Sequence, residues 1–221
     1  MRRYAVVLLD VDGTLVDSND AHAHAWVEAL ADHDLEVAFE RVRRMIGMGG
    51  DRLIEAVGGP ARGTKQNERL GEHRSEVFRE RWLSHVKPLL GARELVLRLR
   101  AEGYRYAIAS AARDDELSSL LEIADLVDLC EAATTSDDVT RSKPDPEIVE
   151  AAIAQLLGAE RSRTVMIGDT PYDLQAARGA SVDLIGVTTG GWSAEHLSGA
   201  VGIFDGPADV LARWHASPLA G

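Results

Sequence analysis

Asp10-Val11-Asp12-Gly13-Thr14 is the segment of this 221-residue chain whose residue types most directly imply chemistry. Two carboxylates stand at i and i+2, where the apolar run Tyr4 to Leu9 gives out. Residues two apart share a face in regular strand structure, and Gly13 permits an unusual backbone turn just after them. Two close acids repel unless a cation or a proton lies between them. Magnesium suits such oxygen ligands and suits phosphate substrates. An acidic loop without chemistry is the plain alternative. An EF-hand calcium loop fits poorly, because its glycine is sixth in the loop and lies between two helices, whereas Gly13 is fourth and follows a strand-like run.

A second acidic segment is Gly168-Asp169-Thr170-Pro171-Tyr172-Asp173. It too begins where an apolar run ends. Pro171 suits the first turn of a following helix, so Asp169 and Asp173 can face one site. Helix capping is the competing explanation for the same acids. Lys143-Pro144-Asp145-Pro146 is a third candidate. Only Lys65, Lys87 and Lys143 are lysines among the 24 basic residues, and a lysine held before a proline can neutralise phosphate charge. Ser110 follows the apolar stretch Tyr104 to Ala109. Its hydroxyl and the adjacent N–H groups can hold a phosphate oxygen.

These segments need a scaffold that brings strand ends together. Tyr4–Leu9, Tyr104–Ala109, Thr164–Ile167 and Asp183–Val187 read as strands, with Val201–Phe204 as a short one and Leu126–Cys130 as a further candidate. Helical patterns near 91–100, 146–157, 172–178 and 208–214 alternate with them. The alternation predicts an α/β fold, a parallel sheet covered on both faces, with ligands beyond the carboxyl ends of its strands. From Ser18 to His85 the pattern is helical with no strand. Ala21–Ala31, Phe39–Ile46, Leu53–Val57 and Glu68–Leu83 are punctuated by Gly47, Gly49, Gly50, Gly58, Gly59 and Pro60. Residues 18–85 are therefore read as an all-helical subdomain inserted into a core of residues 1–17 and 86–221.

Composition narrows the function. A net charge of -12 argues against a nucleic-acid or anionic-membrane binder, since both need a basic face. The single cysteine, Cys130, excludes a disulfide framework and a cysteine-rich zinc site. The early apolar run is too short for a signal-peptide core or a membrane span, so the expected location is cytoplasmic.

The order Asp10-Val11-Asp12-Gly13-Thr14, Ser110, Lys143, Gly168-Asp169 and Asp173 resembles the haloacid dehalogenase superfamily, and within it the phosphoglycolate phosphatase-like branch. Asp10 to Ser18, Lys143 to Glu147 and Gly186 to Trp192 also fit, so the resemblance covers nearly the whole chain. It implies a Rossmann-like core and a helical cap between the first two motifs, since about 100 residues separate Asp10 from Ser110. It implies Asp10 as the nucleophile that forms an aspartyl-phosphate, and Asp12 as general acid and then base. It implies Mg²⁺ held by Asp10, the Asp12 carbonyl and Asp169, with Asp173 as a water-mediated or outer partner. Thr14, Ser110 and Lys143 would contact or orient the phosphoryl group. The acid role of Asp12 requires surroundings that favour its proton when substrate is bound.

Substrate choice is expected in the cap. Gly47-Met48-Gly49-Gly50-Asp51-Arg52 resembles the family's core-facing cap loop. Arg52 there can bind a substrate carboxylate or second phosphate, or be a plain exposed helix-start residue. His22 is a candidate for substrate contact or proton relay. Trp26 and Trp82 read as core. The expected partner is a small phosphorylated metabolite, with phosphoglycolate, a sugar phosphate and a nucleotide monophosphate all open, acted on by a monomer or homodimer. A beta-phosphoglucomutase-like mutase is the nearest rival. A non-catalytic phosphate-binding or phospho-receiver module is the rival of a different class.

Overall fold

Val6–Leu9 carries no polar side chain, so a strand built from it must be covered on both faces. It forms β1, and all four residues are buried. Val7 and Leu9 enter one apolar cluster, while Val6 and Leu8 enter another on the opposite side. The computed structural model describes residues 2–220. After β1 the chain turns at Gly13, whose φ of 75° suits glycine, into β2 (Val16–Asp17).

A helical run then follows: α1 (Asn19–Ala31), α2 (Phe39–Arg43), α3 (Gly50–Ala56) and α4 (Lys65–Val77). A π-helical turn at Phe78–Trp82 and a 3₁₀ turn at Leu83–His85 lead out of α4. β3 (Lys87–Pro88) pairs antiparallel with β2 and brings the chain back beside its point of departure. This run has an apolar cluster of its own, including Trp26, Leu30, Val42, Leu53, Ile54 and Leu70.

The remainder alternates strands with helices: α5 (Ala92–Ala101), β4 (Arg105–Ala109), α6 (Asp114–Ile123), β5 (Ala133–Thr134), α7 (Glu147–Gln155), β6 (Thr164–Gly168), α8 (Pro171–Gly179), β7 (Asp183–Val187), β8 (Gly202–Phe204) and α9 (Pro207–Ala212). Six strands make one parallel sheet in the order β5-β4-β1-β6-β7-β8. The expected α/β architecture is what the molecule shows. The order reverses direction at β1, which creates the crevice where open parallel sheets bind ligands. Among the described residues no helix is long and apolar enough to cross a membrane.

Three details differ from expectation. Leu126–Cys130 is no strand. Val127–Leu129 is a 3₁₀ turn, and the edge strand is Ala133–Thr134. Short apolar runs do not separate strand from turn by periodicity, and here Leu126 and Leu129 are drawn into the core cluster that contains Tyr106. α6 was not foreseen. Its helically spaced Leu117, Leu120 and Leu121, with Ile123, sit among six polar or charged residues of a ten-residue segment. The two-residue β2 and β3 are too short to leave a pattern.

Leu95 of α5 is fully buried in the cluster that covers one face of the sheet. Leu95→Ala is expected to lower the free energy of unfolding by about 2–5 kcal/mol. Urea titration followed by circular dichroism measures the loss directly.

Candidate active site

Strand register sets the site. Leu9 of β1 stands beside Ile108 of β4 and Ile167 of β6, so the next residues of all three strands emerge at one edge. Asp10 stays tied to that edge by its N–H, which donates to the Ile167 carbonyl at 3.0 Å. Asp10, Asp169 and Asp173 bring one carboxylate oxygen each within 4.8 Å of one another, all buried.

Lys143 answers this crowding. Its Nζ donates to Asp10 Oδ1 at 2.6 Å and to the Ala109 carbonyl at 2.9 Å. It also lies 2.9 Å from Asp173 Oδ1 as an ion pair. Burial alone would strip Lys143 of its proton, but Asp10 and Asp173 hold its pKa well above the usual lysine range. One ammonium cannot balance three carboxylates. Burial pushes Asp10 up to about 7 against the pull of Lys143, with Asp173 and Asp12 adding to the rise. Burial raises Asp169 well above the carboxylate range, and the Asp10 and Asp173 charges raise it further. The donors gathered here are oxygens, in a site short of positive charge, which fits a hard divalent cation. Asn19 Nδ2 donates to Asp169 Oδ2 at 2.9 Å and leaves Asn19 Oδ1 buried without a partner. The Asp12 carbonyl accepts no hydrogen bond among the described residues.

Asp12 faces the other way. Its Oδ1 accepts from Ser18 Oγ and, at 2.8 Å, from His22 Nε2. His22 Nδ1 lies 3.3 Å from Arg74 Nη1. Arginine only donates, so Nδ1 accepts and the proton of a neutral His22 sits on Nε2, aimed at Asp12. The ring is also stacked on Phe78, centroids 4.1 Å apart. Burial alone would raise the Asp12 pKa, but His22 and Ser18 override it and hold the carboxyl below its usual range. The surroundings expected to favour a proton on Asp12 thus favour the carboxylate while no substrate is near.

The helical run lies over this edge. Arg43 Nη2 donates to the Gly190 carbonyl at 2.8 Å, Tyr172 OH to the Arg44 carbonyl at 2.8 Å, and Gly49 N to the Lys143 carbonyl at 3.1 Å. Between the two parts is a cavity of about 40 Å³ whose walls include Asp10, Asp12, His22, Trp26, Arg74 and Glu116.

Of the residues expected from sequence, Asp10, Asp12 and His22 line that cavity. Lys143, Asp169 and Asp173 are buried around Asp10. Thr14 Oγ1 lies 3.1 Å from Asp10 Oδ2 and 3.3 Å from Asp169 Oδ1, so it bridges the two acids. Ser110 is fully buried at the end of β4, its Oγ accepting from Ala112 N. Asp173 Oδ2 accepts from Thr170 N and Oγ1, so it completes the capping box of α8, whose N-cap is Thr170, as well as partnering Lys143. Arg52 lies outside the lining of this cavity and of the larger one beside it. Trp26 is both core and wall. Arg74, Glu116, Ser18 and Asn19 were missed. Ser18 and Asn19 follow the first acidic motif closely, which is a usable signal. Arg74 and Glu116 stand among many charged neighbours, and nothing local distinguishes them.

Residues 7–187 match the family model described as haloacid dehalogenase-like hydrolase. A probable phosphatase, IndB, of Dickeya dadantii is 33% identical, over 96% of this chain and 94% of its own. A phosphoglycolate phosphatase of Rhodospirillum rubrum is 30% identical, over 97% and 92%. The crystal structure of a hydrolase from Pseudomonas syringae superposes with a TM-score of 0.87 at 32% identity, covering 96% of this chain and 98% of that one.

Two outcomes follow from the crowded acids. Raised carboxyl pKa values mean that the folded chain holds protons the unfolded chain releases. The Asp10 contribution to stability therefore falls as pH climbs from about 4 towards 7. A divalent cation competes with those protons, so excess MgCl₂ is expected to raise the melting temperature more at about pH 7.5 than at about pH 5. Equal shifts in thermal unfolding would refute the arrangement. Separately, a Cβ on Gly190 would lie 1.6 Å from Asp169 Oδ2. Gly190→Ala is expected to displace that carboxylate and weaken divalent-ion affinity by roughly 10–100-fold, read by calorimetry with unchanged circular dichroism.

Proposed function

The chain belongs to the haloacid dehalogenase-like hydrolases, and on that premise we propose a Mg²⁺-dependent phosphatase that hydrolyses a small phosphomonoester through an aspartyl-phosphate on Asp10. The observation that carries this reading is the placement of Asp10 and Asp12 on the wall of one cavity, with Lys143, Thr14 and Asp169 gathered behind Asp10. Residues 18–85 act as a cap over a core made of residues 1–17 and 86–221.

Asp10, the Asp12 carbonyl and Asp169 would hold the metal, and Asp173 fixes Lys143 and supports the set from behind. A bound divalent cation would supply charge neutralisation between the acids and the phosphate, and a fixed orientation for in-line attack. Lys143 and Ser110 hold phosphoryl oxygens, and Thr14 orients the two acids it bridges. A carboxylate oxygen of Asp10 attacks phosphorus as the bond to the leaving alcohol oxygen breaks. Asp12 passes a proton to that oxygen. It then takes a proton from water as the water attacks the phosphorus, which frees Asp10 and inorganic phosphate.

The hydrogen bonds from His22 and Ser18 suit Asp12 to the second half, in which it must be a base. For the first half the arriving phosphate supplies the change, since negative charge nearby raises a carboxyl pKa. His22 donates to Asp12 and so orients it. Asp10 is buried, which strengthens the charge interactions it makes.

Asp10→Asn is expected to lower phosphate release by at least about 10³-fold with the fold retained. Asp12→Ala is expected to lower kcat by roughly 10²–10⁴-fold. EDTA should silence the wild type until Mg²⁺ is restored. A malachite-green assay on a panel of phosphorylated metabolites, with chromatography for isomerised product, checks all three and separates hydrolysis from return of the phosphoryl group to a sugar.

A further inference from the structure

Arg74 of α4 and Glu116 of α6 meet at the inner wall of the catalytic cavity, one from each side of the cleft. Both are buried, at 8% and 3% exposure, and Arg74 Nη1 donates to Glu116 Oε2 at 2.9 Å. Nη1 is the only nitrogen of Arg74 engaged in a hydrogen bond among the described residues. Its Nε is buried without an acceptor. Glu116 Oε1 receives no hydrogen bond among the described residues either, and it lies 3.9 Å from His22 Nδ1. The guanidinium rests over the Trp26 ring, 5.0 Å from its centroid, so its position is defined.

The wall therefore offers spare donors and a spare acceptor side by side, with the charges already cancelled. A hydroxyl group matches both, because it accepts from an arginine N–H and donates to a carboxylate. A carboxylate or second phosphate matches only the donors. It would also face the buried charge of Glu116, which no other cation offsets.

The catalytic cavity is small, and a larger one adjoins it across shared wall residues. Trp26, Gly50, Arg74 and Ala111 also line a cavity of about 450 Å³ between the helical run and the core. Its ionisable walls include Asp51, Glu68, Glu72 and Asp137 against Arg74 and Arg113. Arg113 lies 3.5 Å from Asp137, so among the described lining residues the acids outnumber the arginines and both arginines face an acid. Gly71, in the middle of α4, also borders it, and a Cβ there would meet nothing within 4 Å.

We propose that the leaving alcohol is an uncharged polyhydroxy group, sugar-like in chemistry, whose hydroxyls are read by Arg74 and Glu116 and whose far end occupies the larger cavity. This rests on the phosphatase reading above and narrows its substrate class.

The test uses the full chain with Mg²⁺ and four probes: 2-phosphoglycolate, its counterpart with an uncharged leaving alcohol (2-hydroxyethyl phosphate), ribose 5-phosphate and p-nitrophenyl phosphate. For wild type, kcat/KM is expected to be roughly tenfold higher for 2-hydroxyethyl phosphate than for 2-phosphoglycolate, and higher again for ribose 5-phosphate. Equal values, or a preference for 2-phosphoglycolate, would overturn the proposal. Glu116→Gln leaves Arg74 uncancelled and should shift the ratio towards 2-phosphoglycolate by roughly tenfold; an unchanged ratio counts against it. Gly71→Phe should lower ribose 5-phosphate turnover several-fold more than that of 2-hydroxyethyl phosphate, and equal losses would remove the larger cavity from the substrate's path. If a variant fails to fold, the wild-type ratios still decide. Silence towards every probe, p-nitrophenyl phosphate included, would instead remove the phosphatase reading and the inference built on it.

Discussion

Three buried carboxylates against one buried ammonium is the constraint on which the rest of this structure depends. Asp10, Asp169 and Asp173 share one strand edge, and among the described residues Lys143 alone brings an ammonium to them. Such a cluster is costly to bury unless protons or a metal ion balance it. The surrounding structure is arranged to keep it in place. Thr14 and Asn19 hydrogen-bond to the acids, and Asp173 is held by the first turn of α8. Glycines let the backbone approach: a Cβ at Gly13 or Gly190 would collide with the Asp169 carboxylate, and one at Gly168 would press on Asp173.

The helical run over that edge adds a second set of charges. His22, Arg74 and Glu116 connect the Asp12 side chain to both sides of the cleft. The orientation of Asp12 therefore depends on the two parts of the molecule being together. Removing the run would expose the acids to water and also release His22 from Asp12. The net charge of -12 repels anions from a distance, but screening at physiological salt weakens that repulsion beyond about 8 Å. Within the cleft Lys143 supplies positive charge beside Asp10, while Arg74 is balanced by Glu116.

Much of this was legible in the residues. Continuous apolar runs named the sheet's central strands, because parallel strands buried on both faces need no alternation. Acids placed just past those runs named the edge at which they gather. The edge strand at Ala133–Thr134 was not legible, since two residues carry no period and the apolar Leu126–Cys130 nearby competes for the same assignment. Arg74 was not legible either. It lies in a segment dense with charges, and only its burial sets it apart from Arg69 or Arg79.

Local sequence thus determined the fold class, the strand ends and the identity of the acids and lysine. Each of these follows from interactions within a few residues or from the need to cover an apolar strand. The tertiary structure alone decided which charges meet. Lys143 reaches Asp10 across 133 positions, Arg74 reaches Glu116 across 42, and Asn19 reaches Asp169 across 150. Such pairings are set by strand order and by the seating of one element on another, and a charged side chain carries no mark of the partner it will be buried against.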